Sequence, residues 1–249
     1  MNNVNASIRC RDISKVFRDG HGTVRILNGV SLEIHAGEMV AIMGRSGAGK
    51  STLLSCLAGL ENVDSGTIEL LGNDMRGLSL SKRAKLRRTD VGFVFQQYQL
   101  VPYLTASQNV ALPLQLGHRH ITKSQIREVL AAVGMDQYAN ERTSNLSGGE
   151  QQRVALARVL AQQPRIVLAD EPTGALDTAM VATVMRLLRA CAGTDPNASR
   201  GSVLIVTHDP LVAAQCDRIL MLQDGRIVRE LQTQDVAVVA GALTTVVGA

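Results

Sequence analysis

Gly44-Arg45-Ser46-Gly47-Ala48-Gly49-Lys50-Ser51 fills every fixed position of the pattern G-x-x-x-x-G-K-[ST], and no other stretch narrows so far what this chain can become. The pattern requires a buried strand leading into the loop and a helix leading out of it. The apolar run Met39–Met43 meets the first demand, and residues 52–58, stopped by Gly59, meet the second. Gly44, Gly47 and Gly49 allow positive φ and close backbone approach, so successive N–H groups converge on a triphosphate at the positive end of the helix. Lys50 adds a cation for the outer phosphates, and the Ser51 hydroxyl suits Mg²⁺.

Ahead of the loop, residues 8–13 and 25–34 read as strands, with turns at Asp19-Gly20 and Ala36-Gly37. Behind it, residues 68–71 and 91–95 continue the strand pattern, and Lys82, Arg83, Lys85, Arg87 and Arg88 read as the solvated face of a helix. Residues 97–163 turn helical. Thr122 and Gln125 have capping-box spacing ahead of Ile126, Val129, Leu130 and Val133, with Gly134 as the stop. His118 and His120 fall in a loop of this region and, lacking further ligands nearby, read as solvent-facing. The apolar strand at 166–170, a helix over 179–191 and a strand at 203–207 then alternate, which predicts a parallel sheet. Residues 192–202 link the last two, and 218–222 and 227–228 around Asp224-Gly225 predict a closing hairpin.

Composition excludes more than it selects. A chain of 249 residues with 45% hydrophobic and 19% charged residues has the makings of a large core. Cys10, Cys56, Cys191 and Cys216 show no C-x-x-C spacing and are expected to be buried thiols in a reducing compartment, by default the cytoplasm. The net charge of +4 raises nucleic acid as a partner, but three Tyr, three Phe and no Trp are too few for a base-stacking platform. The polar start, residues 1–7, does not resemble a signal peptide, and residues 236–249 fall short of a membrane span, so no segment is expected to cross a bilayer.

Leu146-Ser147-Gly148-Gly149-Glu150 opens another helix. Ser147 and Glu150 have capping-box spacing, while Gly148 and Gly149 leave first-turn N–H groups uncovered, which makes a second anion site. Beyond it, the strand Ile166-Val167-Leu168-Ala169 ends on the paired acids Asp170 and Glu171.

With these motifs in this order, the chain resembles the ATP-binding subunit of ABC transporters over roughly residues 8–230. The resemblance implies an α/β fold: a P-loop NTPase core with a mostly parallel sheet (44–65 and 164–230), an antiparallel β subdomain (8–43 and 66–95), an α-helical subdomain (97–163) and a variable tail (231–249), all in a single domain. It makes Leu146 to Glu150 the family signature, Gln96 the Q-loop glutamine, Ala175-Leu176-Asp177 the D-loop and His208 the switch histidine.

By the same resemblance, ATP is cradled by Gly44, Arg45, Ser46, Gly47, Ala48, Gly49, Lys50, Ser51 and Thr52, with Phe17, where Tyr is common, stacking on adenine. Ser51, Gln96 and Asp170 surround Mg²⁺, Glu171 polarises the attacking water as general base, and His208 contacts the γ-phosphate. One phosphate loop and one signature per chain imply a head-to-tail homodimer trapping two ATP, in which Ser147, Gly148, Gly149, Glu150 and Asp177 act across the two-fold. Glu150 stands where many members have Gln, and Gly174 where many importers have Ser.

The segments around Gln96 and Asp170 resemble the macrolide-export and lipoprotein-release group. That implies a peripheral protein at the cytoplasmic face of the inner membrane, meeting its permease near Tyr98 to Thr105. A solute importer and a division-site signalling ATPase are the alternative readings. The tail from Asp235 is left open between a packing strand, a partner contact and a loose end.

Overall fold

The computed structural model describes residues 6–19, 22–193 and 201–248. Gly20 of the expected Asp19-Gly20 turn, and residues 194–200 of the expected 192–202 loop, lie outside the described residues. Strands β1 (Ala6–Asp19) and β2 (Gly22–His35) make a long antiparallel ribbon, and β3 (Met39–Met43) follows. Next come α1 (Lys50–Leu57), β4 (Ser65–Leu70), β5 (Asn73–Asp74), α2 (Leu80–Asp90) and β6 (Val91–Val94). The ribbon runs well past the expected residue 13 because register shifts after Cys10 and Ile13 break the apolar alternation without ending the pairing.

Three helices, α3 (Ala106–Leu116), α4 (Lys123–Ala132) and α5 (Gly148–Gln162), fill the expected helical stretch. Each opens on a capping box: Thr105 with Gln108, Thr122 with Gln125, and Ser147 with Glu150. The chain then gives β7 (Ile166–Asp170), α6 (Thr178–Ala192), β8 (Ser202–Val206), α7 (Pro210–Ala213), the hairpin β9 (Arg218–Gln223) and β10 (Arg226–Leu231), and α8 (Val236–Gly248).

Two sheets result. One is antiparallel, in the order β2-β1-β4-β5; the other runs β10-β9-β3-β8-β7-β6 and is parallel except at the β9–β10 edge. Every residue of β3, β7 and β8 is buried, as strands covered on both faces require. Strand alternation divides them between two cores. Val40, Ile42, Leu168, Leu204 and Val206 pack toward α1 and the antiparallel sheet, while Met39, Ala41, Val167, Ala169, Val203 and Ile205 pack with residues of α3, α5 and α6.

Three expectations need correction. β3 and β6, which fall within the bounds 8–43 and 66–95 expected for the antiparallel subdomain, belong instead to the mostly parallel sheet, because β3 pairs in parallel with β8 and β9, and β6 with β7. The α2 arginines are not simply solvated: Arg83 donates to the Leu78 carbonyl (3.1 Å), Arg87 to Gly59 (2.9 Å) and Arg88 to Leu116 (2.8 Å), although Lys82, Lys85 and Arg88 stay exposed. The tail is neither strand nor loose end but the helix α8, because its buried positions, Val239 and Ala242, recur at helical spacing. Asp235 starts it by accepting from the Ala237 and Val238 N–H groups. No helix among the described residues is long and apolar enough to cross a membrane.

Candidate active site

The loop after β3 has glycine where backbone packs on backbone. A Cβ at Gly44 would overlap the Leu222 carbonyl oxygen, and one at Gly49, where φ is 97°, would lie 2.8 Å from the Ile26 oxygen. Gly49 is also the N-cap of α1, so this helix begins with no side-chain cap and no acidic residue in its first turn. Every other α-helix among the described residues has such a cap, from Ser79, Thr105, Thr122, Ser147, Asp177, Asp209 or Asp235. The Lys50 ammonium curls over the loop and donates to the Gly44 and Arg45 carbonyls, both at 2.8 Å. Burial lowers its pKa, opposed by the charges of Glu171 and Asp170.

Parallel pairing of β3, β8 and β7 brings their C-terminal ends together beside that loop, where α/β sheets hold their ligands. Asp170 ends β7 with its Oδ1 buried and unpartnered among the described residues. Burial raises the Asp170 pKa, the Ser51 hydroxyl and Lys50 oppose that rise, and Glu171 adds to it. A buried carboxylate oxygen without a partner, beside a hydroxyl and across one cleft from the Gln96 amide, is a donor set of hard oxygens that fits Mg²⁺.

Glu171 follows in left-handed backbone, φ 48°, with its N–H held by the Val206 carbonyl at 2.9 Å. Its carboxylate lies 2.7 Å from His208 Nδ1 and accepts from the Thr207 hydroxyl at 3.2 Å. The Glu171 side chain is 14% exposed and the His208 side chain 73%, so the histidine presents its ring to solvent while fixing the acid.

A cleft of about 880 Å³ joins these groups. Gly44, Arg45, Ser46, Gly47, Gly49, Lys50, Ser51, Thr52, Gln96, Asp170, Glu171 and His208 all line it. Ala48 is turned inward, its carbonyl accepting from Gly225 N–H at 3.3 Å. Phe17 is outside the lining and 43% exposed, with Lys15 Nζ 5.0 Å from its ring. It lies close along the β1–β2 ladder to the lining residue Ile26, since Val16 pairs with Arg25 and Lys15 with Leu27.

Ser147, Gly148, Gly149, Glu150 and Asp177 also do not line the cleft. Glu150 accepts from Ser147 N–H (2.8 Å) and Oγ–H (2.7 Å), which lowers the Glu150 pKa. Gly149 is packed so that a Cβ would lie 2.9 Å from the Ala175 oxygen, and a Cβ at Gly148 would lie 3.1 Å from the Tyr98 hydroxyl. Asp177 caps α6, accepting from Met180 N–H at 2.9 Å. His118 and His120 are exposed.

The cleft also holds residues that the sequence did not single out, Ile26, Gln152, Val206 and Leu243, and Tyr98, which the sequence assigned to the permease contact. Gln152 left a trace, since it precedes Leu156 and Val159 on the apolar stripe of α5, where a polar residue marks a buried hydrogen-bonding role.

The mostly parallel sheet, the glycine loop under an uncapped helix and the paired strand-end acids are those of a phosphate-loop ATPase. The model of the ABC transporter family matches residues 27–174. The macrolide export ATP-binding/permease protein MacB of Salmonella typhimurium strain LT2 is 44% identical over 227 residues, 90% of this chain and 34% of that protein. The lipoprotein-releasing system ATP-binding protein LolD of Pseudomonas syringae pv. tomato is 43% identical over 225 residues, 90% of this chain and 97% of that one. The chain thus spans about a third of the length of MacB and nearly all of LolD. Among solved structures, a dimeric post-hydrolysis state of the ATP-binding cassette MJ0796 bound to ADP and Pi shares 37% identity at a TM-score of 0.85, covering 92% of this chain and 99% of that one. This chain belongs to the ABC transporter family, as an ATP-hydrolysing cassette related to MacB and LolD.

Proposed function

We propose that this chain is the ATP-binding and hydrolysing subunit of an export or lipoprotein, lipid or peptide extrusion system, driving a separate membrane permease through ATP-dependent closure of a homodimer. The observation that carries the reading is the cleft, in which the uncapped start of α1 and Lys50 face Asp170, Glu171 and His208. The triphosphate of ATP lies along the loop N–H groups with Lys50 on its outer phosphates. Ser51, Asp170 and Gln96 would hold Mg²⁺, which when bound neutralises phosphate charge. Glu171 takes a proton from the attacking water, its carboxylate steered by Thr207 and His208, while the exposed His208 ring reaches the γ-phosphate. The half-exposed Phe17 ring stacks on adenine.

Ser147, Gly148, Gly149, Glu150 and Asp177 lie off this cleft, which supports a head-to-tail dimer in which they close on the nucleotide of a second copy. The solved MJ0796 cassettes, which are dimeric, support the same reading. Sedimentation of Glu171→Gln in saturating Mg-ATP tests it: a dimer is expected, and a monomer overturns it.

The permease surface is the stretch from Tyr98 to Thr105. Buried Asn109 stiffens it, accepting from Val101 N–H (2.8 Å) and donating to the Val101 and Leu104 carbonyls. Tyr103 stands 82% exposed at its tip. Crosslinks from Tyr103→Cys should reach the permease, and their absence removes this contact. The relatives named for macrolide export and lipoprotein release support an outward-working system at the cytoplasmic face of the inner membrane.

A further inference from the structure

Gln152 lies in the first turns of α5 and is only 3% exposed. Its primary amide is satisfied at both ends by one short piece of backbone. Nε2 donates to the Glu171 carbonyl at 3.0 Å, and Oε1 accepts from the Ala175 N–H at 3.2 Å. One side chain therefore spans the turn that leads from the strand-end acids toward α6. Within that turn the chain's own bonds are Gly174 N–H to Glu171 O (3.2 Å) and Leu176 N–H to Thr173 O (3.1 Å).

Glu171 has reason to need such support. A glutamate at φ 48° persists only where its surroundings over-determine it. The Val206 carbonyl holds its N–H, and Gln152 holds its carbonyl, so the peptide units on both sides are pinned. The direction of the carboxylate, toward Thr207 and His208, follows from that backbone. Gly149, one turn earlier on α5, meets the same turn at the Ala175 oxygen, so helix start and turn touch at two points.

We propose that Gln152 is a positioning residue for ATP hydrolysis: it fixes Glu171 in its left-handed geometry and ties that geometry to α5, the helix whose first residues follow Ser147. The inference rests on the reading of Glu171 as general base. It makes any displacement of the α5 start a displacement of the Glu171 backbone, so that a ligand docking at Ser147 to Glu150 and the proton acceptor are mechanically joined.

Steady-state ATP hydrolysis by the full chain tests it with two variants. Gln152→Leu removes both bonds; Gln152→Glu keeps an acceptor for Ala175 N–H but sets a carboxylate against the Glu171 carbonyl. Each should lower kcat about tenfold, with KM for ATP within about twofold. In a Glu171→Gln background the same changes should lower the residual rate by less than about twofold, since the group they act through is gone. A Gln152→Glu protein within about twofold of wild-type kcat overturns the proposal. So does an equal loss in both backgrounds, the result a merely structural role gives. Should Gln152→Leu unfold, Gln152→Glu, with its thermal midpoint checked, decides alone. A Glu171→Gln protein hydrolysing at the wild-type rate fails the general-base reading itself, a result separate from any Gln152 effect.

Discussion

Two helix starts in this molecule are suited to anions, and they are built in opposite ways. At α1 the N-cap is Gly49 in left-handed backbone, with no side-chain cap, no first-turn acid and the Lys50 ammonium over the loop. At α5 the Ser147 hydroxyl and the Glu150 carboxylate close a capping box, placing a negative charge over the first turn. The first start has its N–H groups available and a positive charge beside them, a site for a resident phosphate. The second is satisfied by its own side chains, so an incoming phosphate must compete with Glu150. One chain thus has an open helix start and a self-capped one, which suits the proposed two-copy closure over nucleotide.

Glu171→Gln should lower ATP turnover by about 10² to 10⁴ while leaving binding intact, because only proton transfer is lost; single-turnover kinetics with a binding titration separate the two. Next, Lys50→Ala should weaken ATP binding about 10- to 100-fold by removing a charge-assisted bond to phosphate. Unchanged affinity in fluorescence titration would mean that the α1 start alone makes the cradle.

Ser147→Ala should cost about 1 kcal/mol of stability, read as the midpoint of denaturant unfolding, since it opens a cap at α5 that has no equivalent at α1. The last change has the opposite sign. Burial raises the Asp170 pKa, so the folded protein holds that proton more tightly than the unfolded chain does. Stability therefore falls as pH rises from the ordinary carboxylate range through the folded value, and the ionised form destabilises the protein at neutral pH. Asp170→Asn should raise the melting temperature at pH 7 in metal-free buffer and should reduce any gain that Mg²⁺ with ATP brings to the wild type. A lower midpoint would mean that the charge is already compensated by Ser51 and Lys50.

Much of this was legible in the sequence because its causes are local or doubly reported. Residues of β3, β7 and β8 are apolar without interruption since both faces are covered, and capping boxes announce α4 and α5 within four residues. The rest depends on partners far along the chain. Gln152 looks like any polar helical residue until Glu171 and Ala175 fold against it, and Arg87 looks solvated until Gly59 offers its carbonyl. The β1–β2 ribbon hides its length behind register shifts. The α8 segment, built of Val, Ala, Gly, Leu and Thr, has no charge pattern to separate helix from strand, and only packing of Val239 and Ala242 decides it.

That last helix has a practical consequence. Leu243 belongs both to α8 and to the wall of the cleft, so the remaining five residues to Gly248 extend only about 8 Å further at helical rise. A dye or affinity tag joined after α8 emerges close to the cleft instead of on a remote face. A fluorophore there should therefore change its emission when ATP is added, if the nucleotide enters this cleft as proposed.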